Sequence, residues 1–234
     1  MKTRTTTRRR FLATGAGALS AFTFLPRRVL GAPDQPAPSE QLAIGCIGIG
    51  GQGGGVTREL SGFPNVRIAA FCDVQKTHAA KMEKTYPGRP FYTDYREMLA
   101  KEKGLDAVMI GTPDHWHAPI SIAAMKRGLH VYVEKPMAHT VEEARRMAAV
   151  AAETKTVTQM GNQGHGGEGL RLTKEWIDAG VIGAVKEVHV WSDRPGKFWD
   201  TQGRRRPTDT PPVPEGLDWN LWLGPAAERP FHPD

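Results

Sequence analysis

The sequence predicts an α/β protein in which a doubly wound parallel sheet is followed by the start of an α+β domain with an open sheet. Three observations lead to this prediction. Short apolar runs alternate with helix-compatible segments between residues 42 and 160, which is typical of a parallel sheet covered by helices on both faces. The first apolar run leads straight into a glycine-rich turn, and the second ends in an acidic residue.

Residues 1–31 are predicted to form an export signal. Seven basic residues and no acidic one precede Asp34, and the twin-arginine sequence TRRRFL at 7–12 leads into a mildly apolar run that ends at Leu25. These features indicate the twin-arginine export route and a periplasmic location. The run is too short for a membrane-spanning helix, which needs about 20 apolar residues. We expect cleavage near Gly31 or Ala32; a disordered basic tail is the alternative.

The charge outside this signal is nearly balanced. The chain has 31 Lys and Arg against 25 Asp and Glu. Removing the seven basic residues of the signal leaves 24 against 25, so the high isoelectric point belongs to the signal and nothing indicates a nucleic-acid partner. Residues 32–41, with three prolines, are predicted to be a solvated linker.

The first apolar run, 42–49, ends in the motif G-x-G-x-x-G. Its first glycine makes a tight turn, its second lets the backbone approach a pyrophosphate, and its third lets the next helix pack closely against the strand. The helix-compatible residues 56–60 follow. The predicted phosphate-binding turn consists of Gly48, Gly50, Gly51, Gln52 and Gly53.

The second apolar run, 66–72, ends at Asp73, 20 residues beyond Gly53. A carboxylate at this distance hydrogen-bonds the ribose 2′-hydroxyl of NAD. Residues 42–160 are therefore predicted to be a Rossmann dinucleotide-binding domain. Asp73 favours NAD over NADP because it repels a 2′-phosphate. Lys76 lies nearby in the sequence, so use of both NAD and NADP is left open.

The remaining elements of this domain alternate. Asp94 and Thr140 each precede a glutamate by three residues, the spacing of a helix capping box. Helices are predicted over 75–86, 94–104, 119–127 and 140–154, and strands over 91–92, 105–110, 130–133 and 157–160. Cys46 and Cys72 fall in neighbouring strands. Buried free cysteine behaves as a small hydrophobe, and export of a folded chain implies folding in a reducing compartment, so we predict two buried thiols rather than a disulfide.

Polar residues follow two of the predicted strands, at the sheet edge where ligands bind in such folds. TPDHWH occupies residues 112–117, and Glu134-Lys135-Pro136 follows the next strand. A lysine in a buried loop is a candidate proton carrier because burial favours its neutral form, and Pro136 is expected to hold the chain extended at Lys135; a solvated lysine is the alternative. The H-x-H spacing in TPDHWH has no acidic or cysteine cluster beside it, so no metal site is predicted.

Together these motifs resemble the Gfo/Idh/MocA family (glucose–fructose oxidoreductase, inositol dehydrogenase, MocA), and TPDHWH followed by EKP resembles its exported twin-arginine bacterial members. The resemblance covers residues 42–234. It implies NAD(P)-dependent redox chemistry on a hydroxyl or ketone of a sugar, sugar derivative or cyclitol, with Lys135 at the active site. It also implies that Thr112, Pro113 and Glu134 line the nicotinamide. His117 is expected to cap or pack near it, with Trp116 in the core or the cleft wall.

Residues 161–234 are predicted to begin the substrate domain. The glycine-rich stretch after the sixth strand carries Asn162, Gln163 and His165, which can hydrogen-bond a polyol; in the family this crossover touches the sugar, and a flexible linker is the alternative. An amphipathic helix is predicted over 170–179, with Leu172 and Trp176 as residues of the hydrophobic core. A strand is predicted over 185–192.

Residues 193–234 are rich in Pro and Trp, a composition seldom found in disordered chains. This composition predicts a packed, extended loop over the ligand-binding cleft. The basic run 204–206 is predicted to be a solvated face, with contact to a carboxylated substrate as the alternative. The family's second domain is larger than 161–234, and the D-x-x-x-H that would complete its catalytic set has no match here. We therefore expect this domain to be incomplete.

The predicted function is an exported oxidoreductase with tightly bound NAD, in which Lys135 moves the proton of a substrate hydroxyl. One alternative is NAD-dependent glycoside cleavage through transient sugar oxidation, although the family members that work this way lack the lysine of EKP. Another is a non-catalytic sugar-binding protein on the same fold. The expected partners are a small carbohydrate or cyclitol and the twin-arginine export machinery; a homo-oligomer is left open.

Overall fold

The computed structural model describes residues 36–191 and 207–233. The predicted export signal and the basic run 204–206 lie outside the described residues. The described end of the predicted linker contains a short 3-10 turn, Pro38–Glu40. No helix within the two described ranges is both long enough and apolar enough to cross a membrane.

A six-stranded parallel sheet forms the centre of the fold. The strands are β1 Leu42–Ile47, β2 Val66–Cys72, β3 Phe91–Tyr92, β4 Ala107–Ile110, β5 His130–Glu134 and β6 Thr158–Gly161. Their order in the sheet is β3-β2-β1-β4-β5-β6, the doubly wound arrangement that the alternating apolar runs predict. The reversal of strand order lies between β1 and β4, which places the binding crevice above the ends of these two strands.

Helices cover both faces of the sheet, so its apolar side chains form two separate cores. The helices are α1 Gly51–Ser61, α2 Lys76–Thr85, α3 Tyr95–Lys101, α4 His117–Met125, α5 Val141–Thr154, α6 Gln163–Gly166, α7 Glu168–Asp178 and α8 Trp219–Leu223. One core includes residues from α3, α4 and α5, and the other includes residues from α1 and α2.

Most predicted boundaries lie within a few residues of the observed ones, and the largest difference is at α1. This helix begins at Gly51 rather than Val56, because its glycines form its first turns instead of a loop. α4 begins at His117, two residues before Pro119, a position where proline is tolerated because the first turn needs no internal N–H donor.

The two predicted capping boxes have different outcomes. At α5 the box is complete: Glu143 N–H donates to Thr140 Oγ1 over 3.2 Å, and Thr140 N–H donates to Glu143 Oε2 over 2.9 Å. At α3 only half of it forms. Asp94 accepts from Arg96 N–H over 2.8 Å, but the Glu97 carboxylate pairs with Lys101 one turn later.

The two cysteines are free and buried, as the sequence predicts. Although their strands are adjacent, Cys46 lies in one core cluster and Cys72 in the other, so their side chains lie on opposite faces of the sheet. Burial raises the pKa of the Cys46 thiol to about 12, an effect that the Thr57 hydroxyl partly offsets. Burial and the neighbouring Asp73 carboxylate raise the pKa of Cys72.

We therefore expect neither thiol to react with a disulfide-exchange reagent at pH 8 in the native protein, because the thiolate is the reactive species. Both should react in denaturant, which serves as the control, and the intact mass should not change on reduction. A gain of two hydrogens on reduction, or rapid labelling of the folded chain, would contradict this placement.

The segment after β6 differs from the prediction. The predicted helix forms as α7, but none of its residues is buried and Trp176 is 57% exposed, so Leu172 and Trp176 are not core residues here. Residues 185–191 form no strand, and Val190 is 90% exposed. A strand requires a neighbour to accept its backbone hydrogen bonds, and the described part of the chain provides none at this place.

Candidate functional site

The glycine turn joins β1 to α1 with very little space. Gly48 has φ +76°, and a Cβ there would lie 2.5 Å from Thr112 N. A Cβ on Gly53 would lie 1.9 Å from the carbonyl oxygen of Gly48. The third glycine therefore permits close approach of helix and strand, as the motif predicts.

The start of α1 forms one wall of the crevice. Gly50 and Gly51 line the cleft, whereas Gln52 is exposed on the first turn of α1. The first N–H groups of a helix have no partner within it and attract anions. A Cβ on Gly50 would meet the His78 ring at 2.5 Å, so the second glycine also makes room for this histidine.

Asp73 ends β2 with a buried carboxylate. Its Oδ2 accepts from Ile49 N–H over 2.9 Å, and its Oδ1 accepts from Gln75 N–H over 2.9 Å. The Nδ1 atom of His78 lies 3.0 Å from Oδ2. A carboxylate has about four acceptor positions, so the two amide bonds fix its orientation and leave capacity for ribose hydroxyls.

A cleft of about 460 Å³ lies above these residues, within the range of about 300–1,000 Å³ that is usual for ligand sites. Its floor comes from the ends of β1, β2 and β4, and its far wall comes from the C-terminal segment. Its lining includes Asp73, Tyr95, Trp116, Leu217, Leu221 and Trp222.

Thr112 and Pro113 line this cleft after β4, whereas His117 does not face it. His117 is 1% exposed, and its ring lies between two loops: Nδ1 is 2.6 Å from the Pro136 carbonyl oxygen, and Nε2 is 2.7 Å from the Thr112 carbonyl oxygen. It therefore positions the loops after β4 and β5 rather than contacting a ligand in the cleft, and both ring nitrogens face carbonyls rather than an open metal position.

Glu134 and Lys135 lie at the carboxyl end of β5, next to β4 in the sheet. Glu134 is buried, and Gln163 Nε2 donates to its Oε1 over 3.3 Å. Lys135 is exposed, so the described residues do not supply the burial that the sequence argument assumed. The Lys135–Pro136 peptide bond is cis.

The candidate substrate residues follow β6. Asn162 is half-buried, while Gln163 and His165 are exposed. They lie in and just before the short helix α6, for which Asn162 is the N-cap residue. Through its bond to Glu134, Gln163 connects this stretch to the loop of Lys135. Asn162, Gln163 and Lys135 thus lie at the ends of two neighbouring strands.

The geometry fits a dinucleotide. The glycine turn and the α1 N-terminus offer N–H groups to phosphates, and Asp73 offers acceptor positions to a ribose. In addition, Thr112 Oγ1 is buried beside the cleft with no hydrogen-bond partner among the described residues, so it is a polar atom that a ligand could satisfy.

Comparison with known families agrees with this geometry. The family described as "Oxidoreductase family, NAD-binding Rossmann fold" (GFO_IDH_MocA) matches residues 42–162, about half of the chain. The chain belongs to the Gfo/Idh/MocA family. The predicted Rossmann domain is thus confirmed as the family's NAD-binding domain, and NAD is the cofactor.

The relatives of this Gfo/Idh/MocA protein include proteins named as glycosyl hydrolases and a solved structure named as a dehydrogenase. "Glycosyl hydrolase family 109" proteins from Solibacter usitatus and Shewanella putrefaciens are 34% and 33% identical over 128 and 156 residues, covering 50% and 62% of this chain but 29% and 33% of theirs. The solved structure of myo-inositol 2-dehydrogenase from Lactobacillus plantarum is 28% identical with a TM-score of 0.58; the match covers 62% of this chain and 43% of that one. The chain thus spans less than half the length of these relatives.

Sequence reasoning missed two contributors to the cleft. His78 packs against Asp73 and Gly50, but a lone histidine in a helix carries no signal of this contact. Leu217, Leu221 and Trp222 come from the C-terminal segment. The high density of Trp and Pro predicted a loop over the cleft, without indicating which residues would face it.

Proposed function

We propose that the protein is an exported NAD-dependent oxidoreductase that acts on a hydroxyl or ketone group of a sugar, sugar derivative or cyclitol. The observation that carries this proposal is the position of Lys135. It lies at the carboxyl end of β5, one strand from the NAD cleft, and the His117 ring connects its loop to that of Thr112.

The proposed chemistry divides between cofactor and protein. Bound NAD supplies a hydride acceptor. The amine of Lys135, in its neutral form, accepts the proton of the substrate hydroxyl as the carbon is oxidised, and its ammonium form returns the proton in the reverse direction. Asn162, Gln163 and His165 would hydrogen-bond the other hydroxyl groups, and Glu134 would hold Gln163 in place.

Export in the folded state is the second part of the proposal. The predicted twin-arginine signal supports it, and the two buried thiols are compatible with folding in a reducing compartment. Free nucleotide is scarce outside the cytoplasm, so NAD would be loaded before export and regenerated in place. Mature protein recovered from the periplasm should start near residue 32; an intact Met1 there would contradict the signal.

The test of the redox activity is hydride exchange. The full chain is incubated with NAD and carbon-deuterated inositols or hexoses, and the nicotinamide is examined for deuterium by mass spectrometry. Deuterium in NADH supports the oxidoreductase. No transfer from any polyol or sugar, in a chain that binds NAD, would favour a sugar-binding role without turnover.

NAD-dependent glycoside cleavage is the second candidate, because the curated relatives at 33–34% identity bear the name "Glycosyl hydrolase family 109". Lys135 argues against it, since the family resemblance associates that activity with the absence of this lysine. Release of aryl alcohol from aryl glycosides, dependent on NAD but without net NADH formation, would favour the glycosidase.

A further inference from the structure

The C-terminal segment 216–224, here called the strap, is attached to the Rossmann domain at two places. Beside the end of β2, Lys76 N–H donates to the Gly216 carbonyl over 2.9 Å, and Asp218 N–H donates to the Val74 carbonyl over 3.0 Å. After β4, Trp116 Nε1–H donates to the Leu221 carbonyl over 2.9 Å. β2 and β4 are the two neighbours of β1, so the strap crosses above the glycine turn.

The second attachment is close-packed. Nε2 of His115 lies 2.9 Å from the Trp222 carbonyl oxygen. Gly224 has φ +50°, and a Cβ there would lie 2.0 Å from the Trp116 ring. Leu223 is 4% exposed. His115 and Trp116 of TPDHWH thus hold the strap, through contacts that require no cofactor.

The cleft beneath the strap is lined by polar groups and by apolar side chains. The glycine turn and Asp73 supply polar groups, and Tyr95, Leu217, Leu221 and Trp222 supply aromatic and aliphatic surface. In the Rossmann arrangement the turn receives the pyrophosphate and the acidic residue receives the adenosine ribose. The group attached beyond that ribose is adenine, a flat ring whose faces require apolar cover.

We propose that the strap is the outer wall of the adenosine subsite, with Leu217 and Leu221 covering the adenine of NAD. This inference rests on the proposed function as an NAD-dependent oxidoreductase. The strap lies outside residues 42–162, the part that matches the family's NAD-binding domain. It encloses the cofactor on a side that the sheet and its helices leave open.

The test compares the two halves of the cofactor on the full chain carrying Leu221→Ala. The dissociation constants of NAD, 5′-AMP and nicotinamide mononucleotide are measured by titration, with ligand-observed NMR for the mononucleotides. The substitution removes three carbon atoms of apolar cover, so it is expected to raise the dissociation constants of NAD and AMP by about tenfold. Nicotinamide mononucleotide should bind as it does to the unchanged protein.

Asn220→Ala is the matched control, because Asn220 is exposed on the same helix and is not among the residues of this cleft; it should change no constant by more than about twofold. Leu217→Ala is the second test variant, should Leu221→Ala fold poorly by circular dichroism. Unchanged AMP affinity in a folded variant overturns the inference. An equal loss of affinity for both mononucleotides also overturns it, as does failure of the unchanged protein to bind AMP. Failure of the unchanged protein to bind NAD overturns the proposed function as well.

Discussion

Gly53→Ala is expected to weaken NAD binding by more than about a hundredfold and to lower the melting temperature by roughly 5 °C or more. The added Cβ would lie 1.9 Å from the Gly48 carbonyl oxygen and 3.3 Å from Gly111 Cα. Both contacts are backbone atoms, so α1 must move away from β1. That movement displaces the turn that faces the pyrophosphate. Titration with NAD and a thermal melt measure the two effects.

Gly55→Ala provides the control on the same helix. A Cβ at Gly55 meets nothing within 4 Å, and alanine favours a helix over glycine by about 1 kcal/mol. This variant should bind NAD normally and melt at the same or a higher temperature. If Gly53→Ala behaves like Gly55→Ala, then α1 is not held against β1 in the way described.

Lys135→Met is expected to lower the rate of hydride transfer from a polyol to NAD by about a thousandfold while NAD affinity stays within about twofold, because positioned proton transfer contributes about 10²–10⁴ to rate. Methionine retains an unbranched side chain but offers no amine. Lys135 is absent from the lining of the NAD cleft, so the cofactor should remain. Single-turnover reduction of NAD and titration with NAD are the two measurements.

Lys103→Met serves as the matched control, since Lys103 is exposed between α3 and β4, at the amino edge of the sheet. It should leave both measurements unchanged. Full turnover by Lys135→Met would remove the proton-carrying role from Lys135, and a parallel loss of NAD affinity would give it a role in cofactor binding instead.

The sequence was most informative where local chemistry determines structure. The G-x-G-x-x-G motif and Asp73 predict the turn and the carboxylate because each demands a particular residue type at a fixed spacing. The predicted span of β2 agrees with the observed strand, since its apolar run is bounded by turn residues. The family match confirms the domain that these patterns predict.

Prediction was weaker where structure depends on distant partners. The helix α7 is amphipathic, and from that pattern alone Trp176 looks like a core residue, but it is 57% exposed because periodicity identifies an apolar face without identifying what covers it. Residues 185–191 alternate as a strand does, yet pairing depends on another strand. Lys135 was considered as a lysine in a buried loop, but the described residues leave it exposed.

The contacts of the strap also depend on residues that are distant in sequence, so the sequence did not predict them. Trp116 and Leu221 are 105 residues apart in sequence, and no local pattern specifies their contact. TPDHWH suggested a ligand-facing loop, and its residues have different tasks: Thr112 and Trp116 line the cleft, Trp116 also holds the strap, and His117 joins the loops after β4 and β5.

Calorimetric titration of the full chain with NAD and, separately, with NADP tests the assignment of Asp73 as the residue that selects NAD. We expect one NAD per chain and at least tenfold weaker binding of NADP, because the Asp73 carboxylate, which two backbone amides hold in place, would repel a phosphate on the ribose 2′-oxygen. Protein that arrives with nucleotide already bound should release NAD on denaturation. Tighter binding of NADP, or no binding of either nucleotide by the folded chain, would contradict this assignment.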